Sequence, residues 1–426
     1  MEYSMPCIKL AFLLNARKSM KFISLCCLFL PLIASCSSQS AQNHFPETKS
    51  QAETITEKQI LPGIYAMDSI VAALLGKRVA LIANHTSLVD GTHAVDTLLG
   101  SGINVVKVFA SEHGFRGDAP DGAHIGNTKD PKTGLPIVSL YGKNKKPTPE
   151  MLKDVDVIVF DIQDVGCRFY TFLSTMHYAM EAAAENGLEM VVLDRPNPNG
   201  FYVDGPVLDP KFKSFVGMHP IPVVYGMTLG ECAKMINGEG WLKDGVTADL
   251  KVFECENYTH SSLYELPVKP SPNLPNMDAI YWYPSLCFLE GTDVSVGRGT
   301  PTPFTIIGEP GNKGGDFEFT PVSIENASTD PKHKGEVCVG YDLSGKLDFK
   351  NLPDTVQISW LVRMYNETDS KADFFRKDGY FDLLAGTDAL RKALVAGKTA
   401  NEIRAEWQKD LLDFKKIRVK YLIYAD

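Results

Sequence analysis

The stretch Val155-Asp156-Val157-Ile158-Val159-Phe160-Asp161 runs directly into Ile162-Gln163-Asp164-Val165-Gly166-Cys167-Arg168-Phe169-Tyr170, joining an apolar run to a crowded polar one. The run from Val155 to Asp161 is short, β-branched and almost continuous, the pattern of a strand buried on both faces in a parallel sheet. Arg78 to Ala83, Asn104 to Ala110 and Glu189 to Asp194 share that pattern. Helical signals lie between these runs. Ala94 to Leu99 is a short one. Thr148-Pro149-Glu150 offers an N-cap residue, Pro at the first helical position and an acid in the first turn. Phe169, Phe172, Leu173, Met176 and Met180 recur at helical spacing from Tyr170 onward, and Asn186-Gly187 ends that helix. This Met and aromatic stripe reads as core rather than as a cofactor box. Thr228-Leu229-Gly230-Glu231 has the form of a capping box. Strands alternating with helices predict an α/β fold with a mostly parallel, doubly wound sheet.

The chain has 426 residues, 44% hydrophobic and 22% charged, with 43 Lys+Arg against 52 Asp+Glu and a net charge of −9. That length accommodates two domains, and the composition excludes disordered, collagen-like and low-complexity classes. The acidity argues against a nucleic-acid partner, because phosphate contacts need a basic face. Lys18 and Lys21 precede the apolar run from Phe22 to Ile33, which is followed by Ala34-Ser35-Cys36. This is the form of a secretory signal with a bacterial lipobox. Residues 1–36 are therefore expected to be a lipoprotein signal, with Cys36 lipidated, and the polar stretch 37–57 a flexible tether. The body would be exported and held by its lipid to the periplasmic side of a membrane or to the outer membrane of a bacterium. It is expected to divide into a Rossmann-like domain over 58–299 and a smaller α+β domain over 300–426, where Pro, Gly, Asn and Asp become frequent. Cys167, Cys232, Cys255, Cys287 and Cys338 are odd in number and lack a CxxC, which argues against a zinc site. Buried free thiols are the simpler reading, with one disulfide as the alternative.

In an open α/β sheet, ligands bind outside the carboxyl ends of the strands. Four polar clusters fall there: Asn84-His85-Thr86, Ser111 to Gly117, Asp161 to Tyr170, and Asp194 to Gly200. No dinucleotide fingerprint, P-loop, HExxH or GxSxG string is present, so no cofactor or metal is implied. What remains suits acid/base hydrolysis of a polar substrate. Cleaving a glycosidic bond takes an acid to protonate the leaving oxygen and usually a second carboxylate. Glu112, after a buried strand, is the first candidate, and Glu290 in Phe288-Leu289-Glu290-Gly291-Thr292 is the second. Asp161 and Asp164 compete with Glu290, unless one of them pairs with Arg168 or Arg195. His85 and His113 would orient substrate or relay protons, with a structural histidine as the equal alternative for each. Tyr170, Trp282 and Tyr283 offer flat faces for sugar rings, although core packing is the default. Arg298, in Gly297-Arg298-Gly299, would face a ligand or simply belong to a loop.

The strings Ser111–Gly117 (SEHGFRG), Asp161–Phe172 (DIQDVGCRFYTF), Asp194–Gly200 (DRPNPNG) and Leu289–Thr300 (LEGTDVSVGRGT) resemble the family once called domain of unknown function 1343. Its characterised members are exo-β-N-acetylmuramidases of the NamZ type. The resemblance runs from about Arg78 to the C-terminus. It implies a Rossmann-like domain, a smaller C-terminal domain and a cleft between them. It also implies release of terminal N-acetylmuramic acid from the non-reducing end of peptidoglycan fragments. By motif, Glu112 resembles the family's catalytic glutamate, and His113, Arg116, Asp164, Arg168, Tyr170, Asn197 and Arg298 its cleft residues. N-acetylmuramic acid carries a lactyl carboxylate, and Arg recognises carboxylates bidentately, so Arg168 or Arg298 is expected to hold that group. Relatives carry a Gly-Ala-Pro-Trp type string where Gly308-Glu309-Pro310-Gly311 stands here, so one wall of the sugar pocket is expected to differ. The competing readings are a peptidoglycan amidase or esterase, for which no nucleophile or metal set is visible, and a lipid-anchored sugar-binding protein.

Overall fold

The computed structural model describes residues 58–110, 114–116, 128–140, 142 and 144–426. The expected signal, the Cys36 lipidation site, the tether, Glu112 and His113 lie outside the described residues. The strands in chain order are β1 (Arg78–Ala83), β2 (Leu88–Val89), β3 (Thr92–His93), β4 (Asn104–Ala110), β5 (Thr128–Lys129), β6 (Pro136–Ser139), β7 (Val157–Asp161), β8 (Glu189–Leu193), β9 (Asp249–Phe253), β10 (Ile306–Glu309), β11 (Phe317–Phe319) and β12 (Cys338–Asp342). Seven of them form one sheet in the order β5-β6-β4-β1-β7-β8-β9, in which only the β5–β6 pair is antiparallel. Counted along the chain, its six parallel strands stand 3-2-1-4-5-6, the doubly wound order of dinucleotide-binding folds. The order reverses between β1 and β7, which places a crevice outside Ala83 and Asp161.

The helices are α1 (Met67–Leu74), α2 (Ala94–Gly100), α3 (Pro149–Leu152), α4 (Phe172–Glu185), α5 (Leu229–Gly238), α6 (Met277–Leu286), α7 (Ser359–Glu367), α8 (Tyr380–Ala385), α9 (Ala389–Val395), α10 (Ala400–Glu406) and α11 (Gln408–Arg418). Side chains alternate across a strand, so the central strands feed two cores. Val79, Leu81, Ala83, Val157 and Val159 join Ile70 and Leu74 of α1 and Val95 and Leu98 of α2 on one face. Ala80, Ile82, Ile158 and Phe160 join Met176 and Met180 of α4 and Met235 and Ile236 of α5 on the other. The Met stripe of α4 is core, as its spacing predicts, but the helix begins at Phe172, leaving Tyr170 in the approach to it. Asn186 caps α4 and Gly187 follows at φ 65°. The capping box is made reciprocally: Glu231 N–H donates to Thr228 Oγ1 and Thr228 N–H to Glu231 Oε2.

The chain after α6 forms a smaller unit with an antiparallel sheet, β10-β12-β11, followed by short helices. The chain from Ala389 to Arg418 forms three helices, α9 to α11, interrupted at Gly397 (φ 75°) and at Trp407. Residues of α6, α7 and α8 belong to the same apolar core as α4, so this unit shares its interior with the larger one. All five cysteines of the body are free and buried.

Candidate active site

At the crevice, the loops after β1, β7 and β8 are laced together by the polar residues that mark them in the sequence. Thr86 Oγ1 donates to Asn84 Oδ1 (2.6 Å) and accepts from Gln163 N–H (3.1 Å), and Ser87 Oγ donates to the Asp161 carbonyl. Gln163 Nε2 donates to the Pro196 carbonyl (2.7 Å) and Asn199 Nδ2 to that of Val165 (2.8 Å). Gly166 sits at φ 76°, and a Cβ there would lie 2.1 Å from Asn197 Oδ1, so only glycine fits between the loops. Asn197 uses both ends of its amide, donating to the Met227 carbonyl and accepting from Asn199 N–H, each at 2.8 Å.

Several residues expected to meet substrate are engaged in this framework instead. Asp161 is fully buried and closed by Arg195 through Nε (2.5 Å) and Nη2 (3.0 Å). Burial works to lower the Arg195 pKa, but the Asp161 carboxylate outweighs it and the net shift is upward. Arg116 forks onto Asp130 (2.9 and 2.8 Å) and reaches Asp96 at 3.3 Å, and it holds the Asp130 carboxyl well below the usual range. Arg168 departs furthest from expectation. It is 1% exposed, and its guanidinium donates to the carbonyls of Pro206, Ile221, Leu384 and Ala385 at 2.7–2.9 Å. Two of those carbonyls lie in α8, so Arg168, closed off from solvent, braces the β7 loop against α8. Trp282 and Tyr283 are also buried, and Trp282 Nε1 donates to the Leu343 carbonyl, so they pack rather than present faces.

A second group does converge at the crevice. His85, half-buried, contacts the Lys269 carbonyl through Nε2 (2.9 Å), and Tyr170 OH donates to the next carbonyl, Pro270 (2.9 Å). The Tyr170 ring meets Tyr283 edge-on at 5.8 Å, and Tyr283 meets Phe304 at 4.9 Å. Arg298 lies 5.3 Å over the Phe304 ring, and its Nε donates to Glu290 Oε1 at 2.5 Å. A run of contacts thus links Tyr170 to Arg298 and Glu290 through the buried rings of Tyr283 and Phe304. The last two side chains keep 19% and 31% of their surface, which sets them apart from the sealed Asp161 and Arg168.

Asp164 is of a third kind. Its Oδ1 accepts from Gly166 N–H (2.7 Å) and Tyr225 OH (3.1 Å), while Oδ2 is buried without a hydrogen-bond partner among the described residues. Burial pushes its pKa up to about 7 despite those donors. A carboxyl raised above its ordinary value makes the folded state the stronger proton binder. Its contribution is therefore most favourable below about pH 4 and is lost as pH rises through about 7. Asp164→Asn, which stays neutral, is expected to gain stability relative to wild type across that interval, by about 4 kcal/mol in all. Urea unfolding of both proteins from pH 4 to 8 measures this, and parallel curves would refute the assignment of a raised pKa to Asp164.

Two participants carry no local sequence signal. Tyr225 is found only by its contact with Asp164. Lys332 donates to the carbonyls of Leu289, Thr292 and Val294, securing the turn that carries Glu290, and burial brings its pKa down to about 8.

Sequence profiles described as the N-terminal and C-terminal parts of exo-β-N-acetylmuramidase NamZ match residues 79–278 and 281–424. The peptidoglycan β-N-acetylmuramidase NamZ of Bacillus subtilis is 40% identical over 410 residues, covering 90% of this chain and 96% of that one. The chain belongs to the NamZ family. Two crystal structures from Bacteroides fragilis, both described as domain-of-unknown-function 1343 proteins, share its architecture. One has a TM-score of 0.80 at 45% identity and covers 87% of this chain and 100% of its own. The other has a TM-score of 0.73 at 32% identity and covers 86% and 99%. The two NamZ profiles meet inside α6. His85, Asp164 and Tyr170 fall in the N-terminal NamZ part, Glu290 and Arg298 in the C-terminal part, and the aromatic contacts described above join them across the junction. As a NamZ-family glycosidase, the protein packs its two parts against each other through these buried rings.

Proposed function

We propose that this chain is an exo-acting glycoside hydrolase that releases terminal N-acetylmuramic acid from the non-reducing end of peptidoglycan fragments during cell-wall turnover. The reading is carried by the near full-length likeness to a peptidoglycan β-N-acetylmuramidase, which spans both NamZ parts of the chain. Glu112 is assigned as the acid that protonates the leaving oxygen. Of the remaining carboxyls, Glu290 keeps contact with solvent and is assigned to the cleft, whereas Asp164 belongs to the loop framework. Arg298, rather than Arg168, is the arginine for the lactyl carboxylate, because it is partly exposed and its plane is already set by Phe304 and Glu290. Export and anchoring through Cys36 remain part of the proposal on the strength of Lys18, Lys21, the apolar run and Ala34-Ser35-Cys36.

The test compares a chromogenic β-N-acetylmuramic acid glycoside with the N-acetylglucosamine counterpart, which lacks only the lactyl group. Cleavage of the first is expected to exceed that of the second by at least about 100-fold, since a site built around a charged group rejects the analogue lacking it. No cleavage of either would remove the glycosidase reading. Equal cleavage would remove the lactyl contact alone.

A further inference from the structure

Residues 261–270, Ser-Ser-Leu-Tyr-Glu-Leu-Pro-Val-Lys-Pro, form an extended strap whose odd-numbered residues are exposed and whose even-numbered residues are buried or half-buried. Its far end is fixed to the crevice, since the Lys269 and Pro270 carbonyls meet His85 and Tyr170. The Lys269 side chain faces elsewhere, into a groove of about 690 Å³ walled by α6 and by Phe349. We propose that this groove is a subsite for the sugar that follows the scissile bond, a neutral N-acetylglucosamine unit of the glycan strand. The inference rests on the proposed glycosidase activity and adds to it a place for the leaving group.

Three observations favour that occupant. The rings of Tyr281 and Phe349 meet at 77° with centroids 5.3 Å apart, and Phe349 is 44% exposed, which leaves a flat apolar corner open to solvent. A pyranose presents an apolar face of C–H groups and a rim of hydroxyls, and it needs such a surface beside a few convergent polar groups. Those groups are present. Asp278 accepts from Gly345 N–H through Oδ2 (2.7 Å), while its Oδ1 is buried with no hydrogen-bond partner among the described residues, and Asn276 and Glu265 line the same groove. The charges decide between a sugar and the acidic peptide stems that peptidoglycan also carries. Glu265 and Asp278 stand against Lys269 alone, so the lining disfavours an anionic stem and accepts a neutral sugar.

The experiment uses Tyr281→Ala and Phe349→Ala in the full chain. Each is assayed on the chromogenic monosaccharide glycoside, on a peptide-free oligosaccharide that begins with N-acetylmuramic acid, and on the same oligosaccharide bearing its peptide stems. Loss of one stacking face is expected to lower kcat/KM on the oligosaccharide about tenfold while leaving the chromogenic rate within about twofold of wild type. An unchanged oligosaccharide rate in both variants overturns the subsite. So does an equal loss on all three substrates, which would mark a general structural defect, and the exposed Phe349 makes that defect separable from Tyr281. A loss seen only on peptide-bearing fragments assigns the groove to the stem and overturns the sugar. If wild type cleaves none of the substrates, the activity itself fails, a result distinct from all of these.

Discussion

Glu112→Gln is expected to lower kcat on a natural disaccharide by roughly 10³-fold with little change in KM, as for loss of an interaction made only in the transition state. Gln matches Glu in shape and still accepts a hydrogen bond, but it has no proton for the departing oxygen. The leaving group of the natural substrate is a sugar alkoxide, which departs poorly without protonation. A nitrophenolate leaves unaided, so the same variant should lose far less on a nitrophenyl glycoside, about tenfold. This contrast between leaving groups is the diagnostic, together with the disappearance of the alkaline limb of the pH–rate profile. A variant with equal losses on both substrates would show that Glu112 acts in another way. A variant with full activity on both would show that it is not the acid.

Arg168→Ala is expected to cost about 3–5 kcal/mol of folding stability, the range for stripping one partner from a buried charged hydrogen-bond set. Four carbonyls lose their donor at once, and a cavity opens beneath Gly386, where even a Cβ would lie only 2.6 Å from Arg168 Nη2. Arg168→Lys should be intermediate. One ammonium has three donors at a single point and cannot serve carbonyls arriving from the 206, 221 and 384–385 segments together. Urea midpoints measure both variants. KM per folded molecule should be unchanged in whatever fraction remains folded. A stable Arg168→Ala protein with a raised KM would restore the substrate-binding role that the strand-end position suggested.

That contrast shows where sequence reading reached and where it stopped. The central strands were legible because Arg78–Ala83 and Val157–Asp161 are buried on both faces and so are apolar except at Arg78, where the first begins, and Asp161, where the second ends. Two other members of the sheet were not. Pro136–Ser139 is four residues long, and Asp249–Phe253 at the sheet edge alternates exposed and half-buried positions up to Phe253, so neither forms an apolar run. The position of the crevice followed from the polar clusters at strand ends. The duties within those clusters did not, since an arginine after a strand looks the same whether it meets a ligand or a carbonyl. Arg168 finds its carbonyls 216 and 217 positions further along the chain, and no local pattern can encode such partners. Tyr225 and Lys332 were missed for the same reason.

The five enclosed thiols bear on how such a molecule matures. Burial raises the pKa of each, that of Cys338 to about 12, so in the finished protein they stay protonated and out of reach of oxidants. The nascent chain has no such shelter. In an oxidising compartment, collapse of the two cores must outrun sulphur pairing, because the native fold holds all five thiols free. The vulnerable period is thus the interval before the cores close, after which the enzyme needs no reductant to keep its shape.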